Sequence, residues 1–470
     1  MEFKAHLESN PVFKVVSECA ADLGLPAYVV GGYVRDLLLG RESKDIDFVC
    51  VGSGIDLAEA VAKRLGEVKV TVFRNFGTAM VKSGEFELEF VGARKESYRT
   101  DSRKPIVEDG TLSDDQHRRD FTINAMAISL QQVDYGLMID PFNGLGDLSA
   151  KLLRTPLAPD TTFSDDPLRM MRAVRFAAQL NFDIDGDTFE SIINNAHRLS
   201  IISMERIIEE TNKIIQTPKP SYGFKLLFHS RLLHQYFPEM AALQGVEYVG
   251  GNAHKDNFYH TLQVLDNVCR VSDDLWLRWA AIMHDIAKPA TKRYDPKAGF
   301  TFHGHEERGA RMTPGIFRRL KLPMGESMAF VQKLVRLHLR PISLAYEVTD
   351  SAIRRLLFEA GDDIDGLMML CRADITSKNM EKVNRFLKNF DALEERMREV
   401  EAKDSIRNFQ PPVSGEEIMA TFGIGPGKII GIIKDRIKDA ILEGEIHNDK
   451  SEAWDLMIKI AAENGLIIKQ

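Results

Sequence analysis

The chain has 470 residues, enough for about three domains of ordinary size. Its 61 lysines and arginines against 69 aspartates and glutamates give a net charge of −8. That balance excludes a uniformly basic coat for nucleic acid and leaves only a local basic stripe for such a role. A hydrophobic content of 44% and a charged content of 28% exclude wholesale disorder.

The cysteines and the start of the chain indicate the expected compartment. The four cysteines are far apart without a CxxC spacing, which suits a reducing environment and excludes a thiolate zinc ribbon. No apolar run approaches the roughly 18 residues of a membrane span, and the charged start is unlike a signal peptide. We therefore expect a cytoplasmic protein without membrane contact.

The predicted elements change in kind along the chain. Alternating patterns predict strands at 28–30, 45–49, 69–73 and 86–90, with helices at 33–39 and 57–65 between them. The polar stretch from Glu96 to His117 is predicted to be a mobile loop. From about residue 165 onward apolar residues recur at helical spacing. The sequence thus predicts an α+β fold, with a small mixed α/β head (1–155), an all-helical neck (156–245), a helical bundle (246–375) and a helical tail (376–470).

Three acidic residues of the head form a candidate metal site. Asp45 and Asp47 are two apart on a predicted strand, so both side chains leave the same face. Glu89 lies on a second predicted strand, with its apolar neighbours on the opposite face. Three carboxylates on neighbouring strands can hold two Mg²⁺ ions, which prefer oxygen ligands and can clamp an in-line phosphoryl displacement. The alternative is that Asp-x-Asp is only a solvated strand face.

A glycine turn precedes these acids. The predicted strand ending at Val30 runs into Gly31 and Gly32, and a predicted helix carrying Arg35 follows. Backbone N–H groups at the start of a helix can face a phosphate, and an arginine adds positive charge. The alternative for Gly-Gly alone is an ordinary tight turn.

The order of these motifs resembles the class II CCA tRNA nucleotidyltransferase and poly(A) polymerase family, of the bacterial type that carries an HD domain. Val30 to Phe48 resembles the opening motif, and Glu89 to Tyr98 resembles the segment with the third metal carboxylate. Arg118 to Ala127 resembles the Arg-Arg-Asp block, and Asp165 to Phe176 resembles the Glu-Asp-x-x-Arg helix, with Asp165 where the family usually has Glu. The resemblance implies a nucleotidyltransferase head with Asp45, Asp47 and Glu89 catalytic. It also implies substrate binding by Gly31, Gly32, Arg35, Arg119, Asp120, Asn124, Asp166, Arg169, Arg172 and Arg175.

The helix predicted near Pro167 is the candidate for base selection. Asp166 and Arg169 are three apart, and an acceptor beside a forked donor matches the edges of cytosine and adenine but not those of guanine and uracil. Alternatively, Asp166 caps the helix and Arg169 pairs with it. Arg172 and Arg175 either reach the triphosphate or form a solvated basic face. The alternative for Arg119, Asp120 and Asn124 is an N-cap with a salt bridge.

Histidines and aspartates mark the predicted bundle. Imidazole and carboxylate ligands suit Mn²⁺, Fe²⁺ or Ni²⁺, and their order resembles the HD phosphohydrolase superfamily. The resemblance implies one metal on His260, His284, Asp285 and Asp374, with His305 and His338 serving a second. The alternative is a degenerate scaffold that only holds tRNA.

The segment Pro412 to Ile433 resembles the tail of bacterial CCA-adding enzymes with an HD domain, which implies tRNA binding by a glycine-rich turn and Lys428. The alternative is a plain helix-helix turn. The predicted function is addition of CCA to the 3′ end of tRNA from CTP and ATP, with Mg²⁺ in the head and release of pyrophosphate. Alternatives are CC-adding, A-adding or poly(A) polymerase activity, an HD phosphohydrolase with a binding-only head, and a non-catalytic RNA-binding module. The loop at 96–117 is long enough to support a switch from CTP to ATP. The sequence indicates no oligomeric state.

Overall fold

The computed structural model describes residues 2–469 except 75–76, 100–101, 246–247, 250–251, 254–255, 346–348, 378, 405–406 and 408. The chain forms two compact units, Met1–Thr217 with Tyr222–Tyr236 and Pro218–Ser221 with Phe237–Gln470. Across the described ranges, no helix is both long and apolar enough to cross a membrane.

A seven-stranded sheet organises the first unit. Its strands are β1 (Ala27–Val30), β2 (Asp45–Cys50), β3 (Val70–Phe73), β4 (Thr78–Ser83), β5 (Phe86–Gly92), β8 (Ala127–Ser129) and β9 (Met138–Ile139). The spatial order is β3-β4-β5-β2-β1-β8-β9. Neighbours pair antiparallel except β2 and β5, which run parallel.

The alternation of β2 determines which face of the sheet is buried. Ile46 and Phe48 are fully buried, and Phe48 stacks on Phe90 of β5 with ring centroids 4.9 Å apart. Helices α2 (Pro11–Asp22) and α4 (Gly54–Arg64) pack against this unit's strands and against each other. Because successive strand residues point to opposite faces, Asp45 and Asp47 emerge on the other side.

The segment predicted as a loop at 96–117 has regular structure, so that prediction was wrong. Strands β6 (Arg94–Arg99) and β7 (Ser102–Asp109) pair antiparallel, and α5 (Leu112–His117) follows with a capping box between Thr111 and Asp114. The ladder's hydrogen bonds come from the backbone and do not need apolar side chains. The register also places residues of opposite charge across from each other, as with Lys95 and Glu108.

The remainder of the first unit is mostly helical. Its helices are α1 (Lys4–Ser9), α3 (Gly32–Leu38), α6 (Gly144–Ala150), α7 (Pro159–Asp165), α8 (Leu168–Leu180), α9 (Gly186–Asn195), α10 (Met204–Ile215) and α12 (Leu232–Tyr236), while α11 (Pro220–His229) belongs partly to each unit. One parallel pair joins β10 (Leu152–Leu153), within the predicted head, to β11 (Asp183–Ile184), which lies in the neck that was expected to be all-helical.

The second unit is a helical bundle with two small hairpins. Its helices are α13 (Pro238–Ala241), α14 (Asn257–Cys269), α15 (Leu275–Met283), α16 (Lys288–Thr291), α17 (His305–Arg319), α18 (Glu326–Leu337), α19 (Arg340–Leu344), α20 (Asp350–Ala360), α21 (Ile364–Asp374), α22 (Met380–Asp404), α23 (Gly415–Phe422), α24 (Lys428–Glu443) and α25 (Lys450–Glu463). The hairpins pair β12 (Tyr248–Val249) with β13 (Asn252–Ala253) and β14 (Arg293–Asp295) with β15 (Gly299–Thr301). The expected α+β class, a mixed head followed by a helical body, is confirmed.

Candidate functional site

The three predicted carboxylates lie side by side on the open face of the sheet. Asp45 and Asp47 are on β2, and the parallel register places Glu89 of β5 directly beside Asp47. All three line a cleft of about 550 Å³. The structure therefore brings together the acids that the sequence placed on separate strands.

Burial and mutual repulsion make two of these acids, Asp47 and Glu89, reluctant to ionise. Burial raises the pKa of Asp47 and the negative charge of Asp45 adds to the effect, although Arg119 opposes it. Burial likewise raises the pKa of Glu89, and neighbouring Asp47 raises it further. Carboxylates crowded in this way gain most from a cation among them, so the donor set fits the hard, oxygen-seeking Mg²⁺.

These shifts predict a pH-dependent affinity for Mg²⁺. Since Mg²⁺ needs ionised ligands and the pKa values are raised, protons should compete with the metal at a higher pH than for an ordinary carboxylate. Without metal, the folding stability of the head should fall as the pH rises through the raised pKa values, because ionisation is costlier in the folded state. We expect Mg²⁺ titrations of activity to show weaker affinity at mildly acidic than at neutral pH. Calorimetry in two buffers should detect proton release on binding, and a pH-independent Mg²⁺ requirement would contradict this expectation.

The glycine turn lies against the same cleft. Gly31 has φ +72°, and a Cβ atom there would lie 2.9 Å from Nη1 of Arg119 and 3.3 Å from Oδ2 of Asp47. Only glycine leaves room for both groups in this backbone conformation. Gly32 begins α3 and also lines the cleft.

Arg35, expected to contact phosphate, is held by protein partners. Its guanidinium donates to both carboxylate oxygens of Asp36, at 2.9 and 2.8 Å, and to Oδ1 of Asn124 at 2.8 Å. Arg35 is 6% exposed but borders the cleft. It therefore adds positive charge from a fixed position.

The Arg-Arg-Asp block supplies a second wall. Oδ1 of Asp120 accepts from Nδ2 of Asn124 at 3.0 Å and from the backbone N–H of Phe121 at 2.9 Å, while Oδ2 accepts from Nε of Arg172 at 2.8 Å. Burial opposes ionisation of Asp120, but the charge of Arg172 and these hydrogen bonds prevail and lower its pKa to about 2. Asp120 is thus a permanent anion that positions Arg172.

Helix α8 presents Arg172 and Arg175 to the cleft, each paired with a buried acid. Nε of Arg175 lies 2.6 Å from Oε2 of Glu210 on α10. The guanidiniums of Arg35, Arg172 and Arg175 lie 5.2, 5.3 and 4.0 Å from the ring centre of Phe176. Such contacts favour cations. Both arginines are thus partnered by buried acids and by Phe176, unlike a fully solvated basic face, and the cleft combines acidic and cationic sides.

The proposed base-reading pair lies at the start of α8. Asp166 has an extended backbone (φ −139°) and precedes the helix, so the expectation that both residues share a helix face was wrong for Asp166. Its Oδ1 accepts from the backbone N–H of Leu168 at 3.1 Å, which matches only the first half of the capping alternative, since Pro167 is the N-cap and Arg169 turns to another partner. Nη2 of Arg169 donates to the carbonyl of Arg118 at 2.5 Å. Asp165 is the last residue of α7.

Sequence reasoning missed the acids that hold the cleft arginines. Asp36 holds Arg35, Asp115 holds Arg118 and Arg119, and Glu210 holds Arg175. Asp115 precedes the two arginines by three and four residues, the spacing at which helical side chains meet, but this signal was lost because the segment was predicted to be a loop. Glu210 had none, since only the packing of α10 beside α8 brings it close.

A second cluster lies within the second unit and gathers all six predicted metal ligands. His260 lies on α14, His284 and Asp285 follow α15, His305 begins α17, His338 follows α18 and Asp374 ends α21. The donor atoms of His260, His284 and Asp285 lie within 4.8 Å of one another, and so do those of Asp285, His305 and His338. Nε2 of His260 is 2.9 Å from Oδ1 of Asp374. Asp285 belongs to both sets, whereas the sequence assigned it to only one of them.

The histidines of this cluster are oriented for metal binding. Nδ1 of His284, His305 and His338 lies 2.7, 2.8 and 2.7 Å from a backbone carbonyl three residues earlier in the chain. Each Nδ1 therefore donates its proton, and each Nε2 is left buried without a hydrogen-bond partner. Burial lowers the pKa of His338 to about 4, helped by nearby His284, which keeps the imidazole neutral. These unpartnered nitrogens fit a transition-metal ion.

Comparison with known families agrees with this arrangement of units and sites. A model of the Poly A polymerase head domain matches residues 27–154, a model of the probable RNA and SrmB- binding site of polymerase A matches residues 181–244, and a model of the HD domain matches residues 257–394. The fold and the acid-lined cleft thus define a nucleotidyltransferase with an attached HD domain.

Similarity to whole proteins identifies the family to which this nucleotidyltransferase belongs. The A-adding tRNA nucleotidyltransferase of Deinococcus radiodurans is 30% identical over 431 residues, covering 89% of this chain and 92% of the relative. The CC-adding enzyme of Thermus thermophilus is 30% identical over 442 residues, covering 91% and 92%. The multifunctional CCA protein of Shewanella frigidimarina is 31% identical over 364 residues, covering 75% and 84%. The chain therefore belongs to the tRNA nucleotidyltransferase family, whose members are enzymes.

A solved structure supports the same assignment. The crystal structure of a tRNA nucleotidyltransferase complexed with a primer tRNA and an incoming ATP analog matches this chain with a TM-score of 0.58 and 28% identity. The match covers 81% of this chain and 98% of that chain.

Proposed function

We propose that this protein adds CCA to the 3′ end of tRNA from CTP and ATP, without a nucleic-acid template. The observation that carries the proposal is the cleft, where Asp45, Asp47 and Glu89 face the arginines of α8 and the Arg-Arg-Asp block. Acids that attract metal beside cations that attract a triphosphate suit nucleotidyl transfer.

The proposed reaction is an in-line displacement. The 3′-hydroxyl of tRNA loses its proton to solvent as its oxygen forms a bond to the α-phosphorus. The bond from that phosphorus to the bridging oxygen of the β-phosphate breaks, and pyrophosphate leaves. Asp45, Asp47 and Glu89 would hold Mg²⁺, which when bound neutralises charge on the attacking and leaving oxygens. Arg119, Arg172 and Arg175 lie where positive charge can hold the triphosphate.

Base selection is assigned to Asp166 and Arg169. The backbone N–H of Arg169 donates to the carbonyl of Asp166 at 3.0 Å, which keeps the two residues adjacent although only one is helical. A carboxylate acceptor and a forked donor match cytosine and adenine, while guanine and uracil leave polar groups unpaired, at about 1–3 kcal/mol each. The names of the relatives make CC-only and A-only addition the nearest alternatives.

The test uses tRNAs ending at the discriminator base, at C and at CC, each with labelled CTP, ATP, GTP or UTP. We expect CTP and then ATP to be incorporated, with synthesis stopping after three nucleotides. Extension of only one primer class would identify a CC-adding or A-adding enzyme, and a long A tail would identify a poly(A) polymerase. GTP incorporation comparable to that of ATP would contradict base selection by Asp166 and Arg169. Asp166→Ala, which removes the proposed acceptor, is the variant to compare with the wild-type protein in the same assay.

The second unit supports a second candidate activity, hydrolysis of a phosphoester. The supporting observation is the convergence of buried, unpartnered Nε2 atoms from three histidines on Asp285. Mn²⁺, Fe²⁺ or Ni²⁺ held there would supply an activated water. A phosphodiesterase assay with each metal in turn tests this activity, and His284→Asn should abolish it without affecting nucleotide incorporation.

A further inference from the structure

Asp115 is a buried acid on α5 that lies outside the set of described residues lining the cleft. Its side chain has no exposed surface, and the structure pairs it with two consecutive arginines, Arg118 and Arg119. Helix α5 directly follows the β6–β7 hairpin and is fixed at its start by a capping box. A carboxylate so enclosed is expensive to bury unless its partners hold it closely.

The two arginines use the same edge of the guanidinium against different oxygens. Arg119 directs Nε and Nη2 to Oδ2 of Asp115, both at 2.9 Å. Arg118 directs Nε to Oδ1 at 2.9 Å and places its Nη2 on the same oxygen. A planar fork held along one edge has a fixed orientation, so Asp115 determines where the opposite corner of each guanidinium lies.

For Arg119 that opposite corner faces the acid-lined cleft. Its Nη1 donates to the carbonyl of Asn124 at 3.3 Å and lies 2.9 Å from where a Cβ of Gly31 would be. Oδ2 of Asp47 is 3.3 Å from that same point. Arg119 is therefore aimed at the glycine turn and the metal carboxylates.

Arg118 contacts Arg169, one of the two residues proposed to select the base. The carbonyl oxygen of Arg118 accepts from Nη2 of Arg169 at 2.5 Å. Because Asp115 restrains the side chain of Arg118, it also restrains the backbone on which Arg169 rests. One buried carboxylate thus connects the proposed triphosphate contact with the proposed base contact.

We propose that Asp115 is a positioning residue for nucleotide binding, which holds Arg119 for the triphosphate and, through Arg118, holds Arg169 for the base. The inference rests on the proposed nucleotidyl transfer. Asp115 touches no reacting atom in this scheme, so its effect appears in nucleotide affinity and in the choice of base.

The experiment compares Asp115→Asn with Asp147→Asn. Asp147 is a matched control because it is also buried and lies outside the set of described residues that line the cleft. It accepts from the hydroxyl of Thr122 at 2.7 Å and from Nε of Arg154 at 3.4 Å. We expect Asp115→Asn to raise the KM for CTP and ATP by about ten- to a hundredfold, with a smaller effect on kcat, and to increase GTP incorporation. Asp147→Asn should lower the Tm and leave KM and base choice unchanged.

A double-mutant cycle with Arg119→Ala separates positioning from general destabilisation. If Asp115 acts through Arg119, adding Asp115→Asn to Arg119→Ala should raise the KM little further. Fully additive losses, or a wild-type KM with unchanged base choice in Asp115→Asn, would overturn the proposal. If Asp115→Asn does not fold, Asp115→Glu replaces it with the same expected rise in KM, and a wild-type KM there would overturn the proposal too. Absence of CTP and ATP incorporation by the wild-type protein would instead refute the proposed function.

Discussion

Asp47→Asn is expected to reduce nucleotide incorporation on tRNA by about a thousandfold or more. Asp47 lies between Asp45 on its own strand and Glu89 on the neighbouring strand, so its loss removes the central ligand of the trio. The charge neutralisation that bound Mg²⁺ supplies amounts to several kcal/mol, and each 1.36 kcal/mol corresponds to about a tenfold change in rate. The measurement is single-turnover incorporation of CTP with saturating primer and nucleotide.

Unfolding should not account for this loss. Because burial and Asp45 raise the pKa of Asp47, replacing the carboxylate by a neutral amide removes an unfavourable charge and should leave the metal-free protein as stable or more stable. Thermal unfolding of the variant checks that point. Asp56→Asn, on the exposed face of α4, is the control and should retain wild-type activity. Activity of Asp47→Asn within about tenfold of wild type would refute the assignment of the metal ligands.

Asp285→Asn should weaken metal binding at both ligand sets of the second unit. Asp285 belongs to both ligand sets, with carboxylate oxygens 3.3 Å from Nε2 of His284 and 3.2 Å from Nε2 of His305. Loss of a shared ligand should weaken both sites, whereas His305→Asn should weaken only one. We expect a fall in affinity of more than about a hundredfold, since changes beyond the direct ligands already cost 10–100-fold.

Ni²⁺ content after loading and dialysis distinguishes these cases, because imidazole ligands suit Ni²⁺ better than the carboxylates of the cleft do. Wild type should retain two ions for each chain, His305→Asn about one, and Asp285→Asn none. Nucleotide incorporation with Mg²⁺ should be unchanged in both variants, because these residues belong to the second unit and the cleft to the first. Wild-type metal content in Asp285→Asn would disprove the shared-ligand arrangement.

The two candidate sites differ in how their positions are fixed. In the first unit, the parallel register of β2 and β5 places the acids, and glycine at φ +72° permits the close approach of Arg119. In the second unit, ligands from five helices or their ends converge, and backbone carbonyls turn three of the imidazoles inward. Rigid backbone elements support both sites, which is what a preorganised charged site requires.

The sequence by itself determined which residue types could form each site and which local elements carry them. Alternation over 45–49 showed that Asp45 and Asp47 share a face, because side-chain direction in a strand follows a period of two. Motif order supplied Glu89, the Arg-Arg-Asp block and the histidine set before any contact was visible. The polar residue pattern failed at the β6–β7 hairpin, where it predicted a loop. Backbone hydrogen bonding can stabilise a ladder whose residues are largely polar.

Only the tertiary structure decided which charges are partnered. Glu210 reaches Arg175 because α10 packs beside α8, and Asp285 serves two ligand sets because the ends of several helices meet at one point. Such partnerships join residues far apart in the chain and leave no periodic pattern in the sequence. Their energies depend on burial and on distances of a few ångströms, which are properties of the folded molecule alone.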